Sequence, residues 1–178
     1  DPALFWAYVI RALQRIEARV GTNALALLQS PHAPVVSVLS SLINDIDASD
    51  ADFTVVLDDY HVIDSAAIHA GMTFLLDHLP RRMHVVIASR SEPPLPLPRL
   101  RARGELTELR AADLRFTPPE AAAFLNDVMA LGISKTDSAA LEQRTEGWIA
   151  GLKLSALSLK SRGDVRGFVN AFSGGNRY

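Results

Sequence analysis

The amino-acid sequence predicts an α/β fold followed by a small all-helical unit, and three observations support this fold class. Two predominantly apolar runs without alternation, at residues 53–57 and 83–88, have the length and β-branched content of strands covered on both faces. Helical patterns precede and separate these runs, which is typical of a parallel sheet with helices on both faces. Between residues 117 and 161 only helical patterns follow one another.

The helices of the first part are predicted from apolar residues that recur at helical spacing. Three such segments occur, at residues 3–18, about 34–46, and 65–79, where Pro80 ends the last of them. After the second apolar run, four prolines between Pro93 and Pro98 exclude a helix or a central strand from residues 89–98. The stretch LTELR at 106–110 is a candidate third strand.

A capping box opens the helical part. Thr117 is a favourable N-cap, Pro118 suits the first helical position, and Glu120 stands at the third. This helix is predicted to run to about Leu131, with Gly132 after its end. Two further helices are predicted at residues 135–147 and 148–160, the last with Ile149, Leu152, Ala156 and Leu159 on its buried face. The sequence thus divides into residues 1–116, an α/β core, and residues 117–178, a helical subdomain.

Composition excludes several classes of function. The chain has 178 residues and a formal net charge of -2, so nucleic-acid binding by this segment itself is not expected. It contains no cysteine, which excludes disulfides and thiolate metal sites and is typical of a cytoplasmic protein. No apolar run reaches the roughly 18 residues of a membrane span, so no membrane partner is expected. The opening Asp1-Pro2 indicates an internal segment of a longer protein.

Two adjacent carboxylates, Asp58 and Asp59, directly follow the first predicted strand. Parallel strands deliver the residues that follow them to the carboxyl edge of the sheet, where open α/β sheets place ligands. There, one acid can hold Mg²⁺ directly or through its water shell, and the other can orient or deprotonate an attacking water. This is a Walker B arrangement; the alternative is a polar strand end that caps a turn.

Ser89 and Arg90 follow the second predicted strand. A polar residue and a cation at the end of the neighbouring strand can sense and neutralise a γ-phosphate. The alternative is that Arg90 pairs with Glu92 or with another surface acid.

Several motifs, in order, resemble the ATP-binding core of the large LuxR-type transcription regulators of the maltose-regulon-activator type, members of the STAND class of P-loop NTPases. They are VVLDDYHVID at 55–64, the stretch from VVIASRSEPP at 85 to residue 125, RTEGWIAGLKLSALSL at 144–159 and FVNAFSGGNRY at 168–178. The opening DPALFWAYVIRAL is similar as well. The resemblance therefore covers nearly the whole chain.

The resemblance implies an ATP-driven switch within a three-layer αβα P-loop NTPase core with a helical lid. In that family a small-molecule inducer permits ATP-dependent self-association, and a C-terminal helix-turn-helix then binds promoter DNA. By resemblance, Asp58 is the magnesium-side acid, Asp59 activates the water, and Arg90 is the arginine of the sensor strand, beside Ser89. Gly147-Trp148 lies in the lid near the nucleotide, although Trp148 is more simply interpreted as a core residue of that lid.

The cofactors implied for the whole protein are ATP and Mg²⁺. A P-loop NTPase also needs a phosphate loop with a lysine after a glycine, and none of the three lysines here follows one. In the family that loop lies upstream and the helix-turn-helix far downstream. We therefore expect an internal fragment of a slow ATPase, itself inactive, that binds no cofactor tightly. Exposed strand edges left by the missing strand favour a rearranged sheet or a dimer.

Two other functions remain open at this point. One is a metal-dependent hydrolase that uses Asp58, Asp59 and His61, the histidine beside the acid pair. Its support is weak because no pair of histidines has metal-ligand spacing, and His61 is better interpreted as a turn residue hydrogen-bonded to the backbone. The other is a degenerate NTPase fold that serves as a protein-interaction module.

Overall fold

The computed structural model describes residues 1–30, 33–162 and 167. The motif at 168–178, which contributes to the resemblance, lies outside the described residues. The chain divides into two compact units, Asp1–Leu106 and Thr107–Tyr178, and each is described by itself. No helix in the described part of the chain is long and apolar enough to cross a membrane.

The first unit packs helices on one face of a small parallel sheet. Its helices and strands are α1 (Pro2–Leu13), α2 (Thr22–Leu28), α3 (Val35–Asp47), β1 (Phe53–Leu57), α4 (Ala66–Asp77), β2 (Met83–Ile87) and α5 (Leu97–Arg103), with a 3-10 turn at Tyr60–Val62. The core contains Trp6, Leu39, Phe53 and Met83, all at most 1% exposed. The predicted α/β class is therefore confirmed, in a helix-rich form.

The sheet has two strands, in parallel, with Phe53 opposite Met83 and Leu57 opposite Ile87. Its burial differs from the prediction. One face is covered by the helices, whereas Val56 on the other face is 63% exposed and Val86 is 48% exposed. Among the described residues nothing covers this second face, so the expectation of strands covered on both faces is wrong within this part of the chain.

The candidate third strand at 106–110 is also absent, because its backbone bonds locally. The N–H of Arg110 donates to Asp113 Oδ2 at 2.7 Å, and the N–H of Asp113 donates back to the Arg110 carbonyl at 2.9 Å. Leu109 is 72% exposed. A stretch closed on itself in this way offers no ladder to a neighbouring strand.

Three helices of the first unit differ from the prediction. The first ends at Leu13 rather than near residue 18, and a turn then leads to left-handed Gly21 (φ 71°), whose N–H donates to Asp45. The short helix α2 was not predicted. The exclusion of a helix from residues 89–98 is wrong at its last two positions, since α5 begins at Leu97 and Pro98 occupies its first turn, where a missing N–H costs nothing.

The second unit is a small helical bundle. It consists of α6 (Pro118–Ala123), which continues as a π-helical turn at Phe124–Val128, then α7 (Lys135–Thr145) and α8 (Ile149–Arg162). The predicted capping box is present at Thr117 and Glu120. The first helix ends at Val128 rather than near Leu131, because Ala130 turns the chain with φ 52°. On α8 the predicted face is confirmed: Leu152, Ala156 and Leu159 are buried and Ile149 is half-buried.

Candidate functional site

The carboxyl ends of β1 and β2 meet, and they bring the predicted site residues of the first unit together. The ladder continues beyond the strands, since the Ala88 N–H donates to the Leu57 carbonyl at 2.9 Å and the Tyr60 N–H donates to the Ala88 carbonyl at 3.0 Å. Asp58 and Asp59 therefore lie beside Ser89 and Arg90. All four of these side chains are exposed.

The acid turn, defined as residues 58–62, has an unusual backbone. Asp59 adopts the left-handed conformation (φ 51°, ψ 36°) and precedes the 3-10 turn. Its N–H donates to Asp58 Oδ1 at 2.8 Å, and its carbonyl accepts from the Val62 N–H at 3.0 Å. Aspartate tolerates this conformation better than most residues because its short side chain bonds locally. The turn directs both carboxylates into solvent at the end of the sheet.

His61 links the acid turn to the end of β2. Its Nδ1 accepts from the backbone N–H of Arg90 at 3.5 Å and lies 3.8 Å from Asp59 Oδ1. The interpretation of His61 as a turn residue bonded to the backbone is therefore confirmed.

The side chain of Arg90 has no ion-pair partner among residues 1–30, 33–162 and 167. The suggested partner, Glu92, instead pairs with Arg101 at 3.1 Å. The hydroxyl of Ser89 donates to the Ser91 carbonyl at 2.6 Å. A guanidinium that no acid neutralises, at the edge that carries two carboxylates, is suited to an anion that reaches this edge.

The donor set fits a hydrated magnesium ion. The Asp58 carboxylate is exposed and its one hydrogen bond within the described structure occupies Oδ1, so Oδ2 remains for an ion or its water shell. No group of three or more histidine and acidic side chains in the described ranges could hold a metal by itself. Such a site suits Mg²⁺, which keeps several waters and is held by one or two carboxylates plus substrate phosphates.

Gly147 and Trp148, the other two predicted site residues, lie in the second unit. Gly147 is buried, has φ 69°, and its carbonyl accepts from the Phe116 N–H at 2.8 Å. Its backbone approaches that of Phe116 so closely that a Cβ would lie 2.4 Å from the Phe116 carbonyl oxygen. Trp148 is 54% exposed. The interpretation of Trp148 as a core residue is therefore wrong, because the turn at Gly147 directs the indole outward.

Sequence reasoning missed one interaction at the site. The side chain of Tyr60, between Asp59 and His61, is buried, and its hydroxyl hydrogen-bonds His69 Nδ1 at 3.0 Å. Burial raises the pKa of Tyr60 to about 12. The tyrosine was visible in the motif, but only the packing of α4 against the turn identifies its partner.

Comparison with known proteins gives a consistent result. The chain is 40% identical over 172 residues, 96% of its length, to the serine/threonine-protein kinase PknK of Mycobacterium tuberculosis. It is 36% identical over 161 residues to the HTH-type transcriptional regulator MalT of Vibrio parahaemolyticus, and 32% identical over 159 residues to MalT of Yersinia enterocolitica. These alignments cover 88% and 89% of the chain. No protein-family model matches it.

The chain spans 15% of the length of PknK and 18% of the length of each of these MalT proteins. The match is thus to one segment of much larger proteins, and it runs through the strands, the acid turn and the helical unit alike. The resemblance predicted from the motifs is confirmed: the chain is similar to one segment of the MalT-type LuxR regulators and of PknK.

Proposed function

We propose that this chain is the nucleotide-switch region of an ATP-dependent, LuxR-type transcriptional regulator. The observation that carries the proposal is the 32–36% identity to the MalT regulators over almost nine-tenths of the chain. The geometry of the acid turn supports it, since two exposed carboxylates share the carboxyl edge of a parallel sheet with an arginine that pairs with no acid in the described part of the chain. This is the edge at which open α/β sheets bind ligands.

Each site residue has a role in this proposal. Asp58 holds Mg²⁺ through its water shell, and Asp59 orients the attacking water and accepts its proton. Arg90, with Ser89 beside it, faces the γ-phosphate, and Gly147-Trp148 lies near the nucleotide in the helical lid. Bound Mg²⁺ supplies charge neutralisation on the phosphates. The left-handed turn at Asp59 allows the Asp59 N–H to hold the Asp58 carboxylate in place, while the Asp59 carboxylate accepts no such bond in this turn.

The proposal also assigns roles to the two parts of this chain and to segments of the larger protein. Residues 1–116 form part of a P-loop NTPase core, residues 117–178 form its lid, and the phosphate loop and the helix-turn-helix come from other segments. In the whole protein ATP and an inducer control self-association and promoter binding. The chain alone is not an active ATPase in this scheme.

The relatives support the switch assignment more strongly than the transcriptional assignment. One is named a protein kinase and the others are named transcriptional regulators. A segment that both contain does not itself perform either output, which favours a switch. If the whole protein proves to carry a kinase domain in place of a helix-turn-helix, the switch assignment stands and the transcriptional assignment falls.

Calorimetric titration of Mg²⁺-ATP into this chain tests whether it holds a complete site. We expect no binding tighter than about 1 mM, because carboxylates without a phosphate loop repel a triphosphate unless Mg²⁺ bridges them. Micromolar binding that is lost in Asp58→Ala would show that the chain carries a complete site of its own and would contradict the fragment scheme.

A chimera tests the switch itself. This chain replaces the aligned segment of Yersinia enterocolitica MalT, and ATP hydrolysis and ATP-dependent self-association are measured. Asp59→Asn is expected to slow hydrolysis about 100-fold or more while ATP binding persists, and Asp58→Ala is expected to weaken Mg²⁺-ATP binding. The matched control is Asp64→Asn, an exposed acid on the same loop. Hydrolysis that Asp59→Asn leaves unchanged would refute the role of Asp59.

The hydrolase alternative has one observation in its favour, the approach of His61 to Asp59. A metal hydrolase of this kind would lose activity in His61→Gln as fully as in Asp59→Asn. The switch proposal predicts a smaller loss for His61→Gln, because His61 contacts the backbone of Arg90 rather than a reacting group.

A further inference from the structure

Tyr60 is the one fully buried residue of the acid turn. It follows Asp59 directly, and it is 1% exposed. Its hydroxyl lies 3.0 Å from Nδ1 of His69, and the two rings are tilted by 52° with centroids 5.6 Å apart. His69 belongs to α4, so this contact joins the turn to a helix that follows it in the chain.

Tyr60 fixes the turn through its backbone as well. Its N–H donates to the Ala88 carbonyl at 3.0 Å, which holds the turn against the end of β2. Asp59, next to it, is held in the left-handed region, a conformation that is unfavourable for L-amino acids, although less so for aspartate than for most. Such a conformation persists only where its surroundings over-determine it. Tyr60 supplies two of the anchors, one from its main chain and one from its side chain.

The contact is a hydrogen bond in either tautomer of His69. Because burial raises the pKa of Tyr60 to about 12, the hydroxyl keeps its proton at neutral pH. It can therefore donate to His69 Nδ1 or accept from it, and the 3.0 Å contact joins the two side chains in both cases. His69 is half-buried and its side chain bonds no other group in the part of the chain that the structure describes.

We infer that Tyr60 is the positioning residue of the acid turn, and that His69 orients it, so that the placement of α4 sets the placement of the Asp58 and Asp59 carboxylates. The inference rests on the proposed function only in naming what the carboxylates act on. The positioning itself is a property of this chain. It also gives α4 a defined route by which a displacement of the helix reaches the acids.

Two pairs of variants separate positioning from general stability. Tyr60→Phe keeps the ring and removes the hydroxyl, and His69→Leu removes the imidazole that this hydroxyl contacts. His69→Asn places an amide oxygen close to the position of Nδ1 and is expected to restore the hydrogen bond. Tyr8→Phe is the matched control, since Tyr8 is 68% exposed.

Amide hydrogen exchange by NMR on this chain provides the first measurement. Loss of one hydrogen bond is expected to speed exchange of the Tyr60 and Ala88 amides roughly 5- to 10-fold in Tyr60→Phe and His69→Leu. The amides of α3 are expected to exchange at unchanged relative rates. In His69→Asn and Tyr8→Phe all of these amides are expected to behave as in the unmodified chain. Unchanged Tyr60 and Ala88 amides in both Tyr60→Phe and His69→Leu would overturn the inference, as would a uniform acceleration that includes α3.

Hydrolysis by the MalT chimera provides the second measurement. Tyr60→Phe and His69→Leu are expected to lower kcat several-fold with KM unchanged, and His69→Asn is expected to recover it. A chimera that hydrolyses no ATP with all residues unmodified refutes the proposed function, while the exchange experiment still decides the positioning. If the chimera is active and its kcat is unchanged by Tyr60→Phe and His69→Leu, the positioning role of Tyr60 is refuted, while the proposed function is not.

Discussion

Replacing Gly147 by alanine is expected to destabilise the second unit strongly, for two separable reasons. Gly147 has φ 69°, and an L-residue in the left-handed region costs roughly 1–2 kcal/mol. The new Cβ would also lie 2.4 Å from the Phe116 carbonyl oxygen and 3.0 Å from the Phe116 nitrogen, both main-chain atoms. Overpacking of this kind costs typically about 1–3 kcal/mol. The expected loss in the free energy of unfolding is therefore about 2–5 kcal/mol.

Gly132 provides the matched control. It lies in the same unit with φ 61°, but a Cβ there would meet nothing within 4 Å. Gly132→Ala thus carries the conformational cost without the close approach. The difference between the two variants, about 1–3 kcal/mol, isolates the contact with Phe116.

Hydrogen exchange of peptides from α7 and α8, followed by mass spectrometry, measures this difference directly. We expect exchange in Gly147→Ala to be roughly 5- to 150-fold faster than in Gly132→Ala where amides exchange through unfolding of the unit. Equal exchange in the two variants would refute the close approach. The result also governs the nucleotide assignment of Gly147, because a variant that unfolds the lid says nothing about contact with ATP.

Three further predictions concern pH and association. The Thr117 N–H and hydroxyl donate to the Glu120 carboxylate and hold its pKa below 4.5, so the stability that this carboxylate contributes is present above pH 4.5 and is lost as the pH falls through the lowered pKa. Glu120→Gln should reduce the fall of the thermal denaturation midpoint at acid pH, and an unaltered fall would contradict this. The pKa of Tyr60 is raised from 10.0 to about 12, so its contribution to the stability of the fold is full below pH 10.0 and is lost as the pH rises towards 12. Tyr60→Phe should remove this loss of stability at alkaline pH, measured by circular dichroism. The double variant Val56→Thr, Val86→Thr should change the free energy of unfolding by about 0.5 kcal/mol or less but reduce self-association measured by light scattering. Equal self-association with and without the two substitutions would exclude the exposed sheet face that carries these valines as the contact.

The strands and the acid turn could be predicted from the sequence because both depend on local information. Five uncharged residues, four of them apolar, followed by two aspartates specify a strand and its polar end, and parallel pairing then places Arg90 beside Asp59 without further knowledge. The contact between Tyr60 and His69 could not be predicted in this way. It depends on how α4 returns across the turn, which no periodicity records. The same holds for α2, a seven-residue helix that packs on α3 and buries Ala24 completely.

The failures on burial have a common physical origin. The apolar run of β1 predicts a strand covered on both faces, yet Val56 is 63% exposed. Helix α8 shows the same mismatch in the other unit, since Leu154 is 62% exposed and Leu157 49% exposed, opposite the buried Leu152. Helices that are apolar all round and strands without alternation are those that pack on both sides. The apolar content of a segment predicts burial on all of its faces, whereas the described residues cover only one face of β1 and one face of α8. A chain that spans 15–18% of its relatives is expected to show this mismatch on faces where the larger proteins add structure.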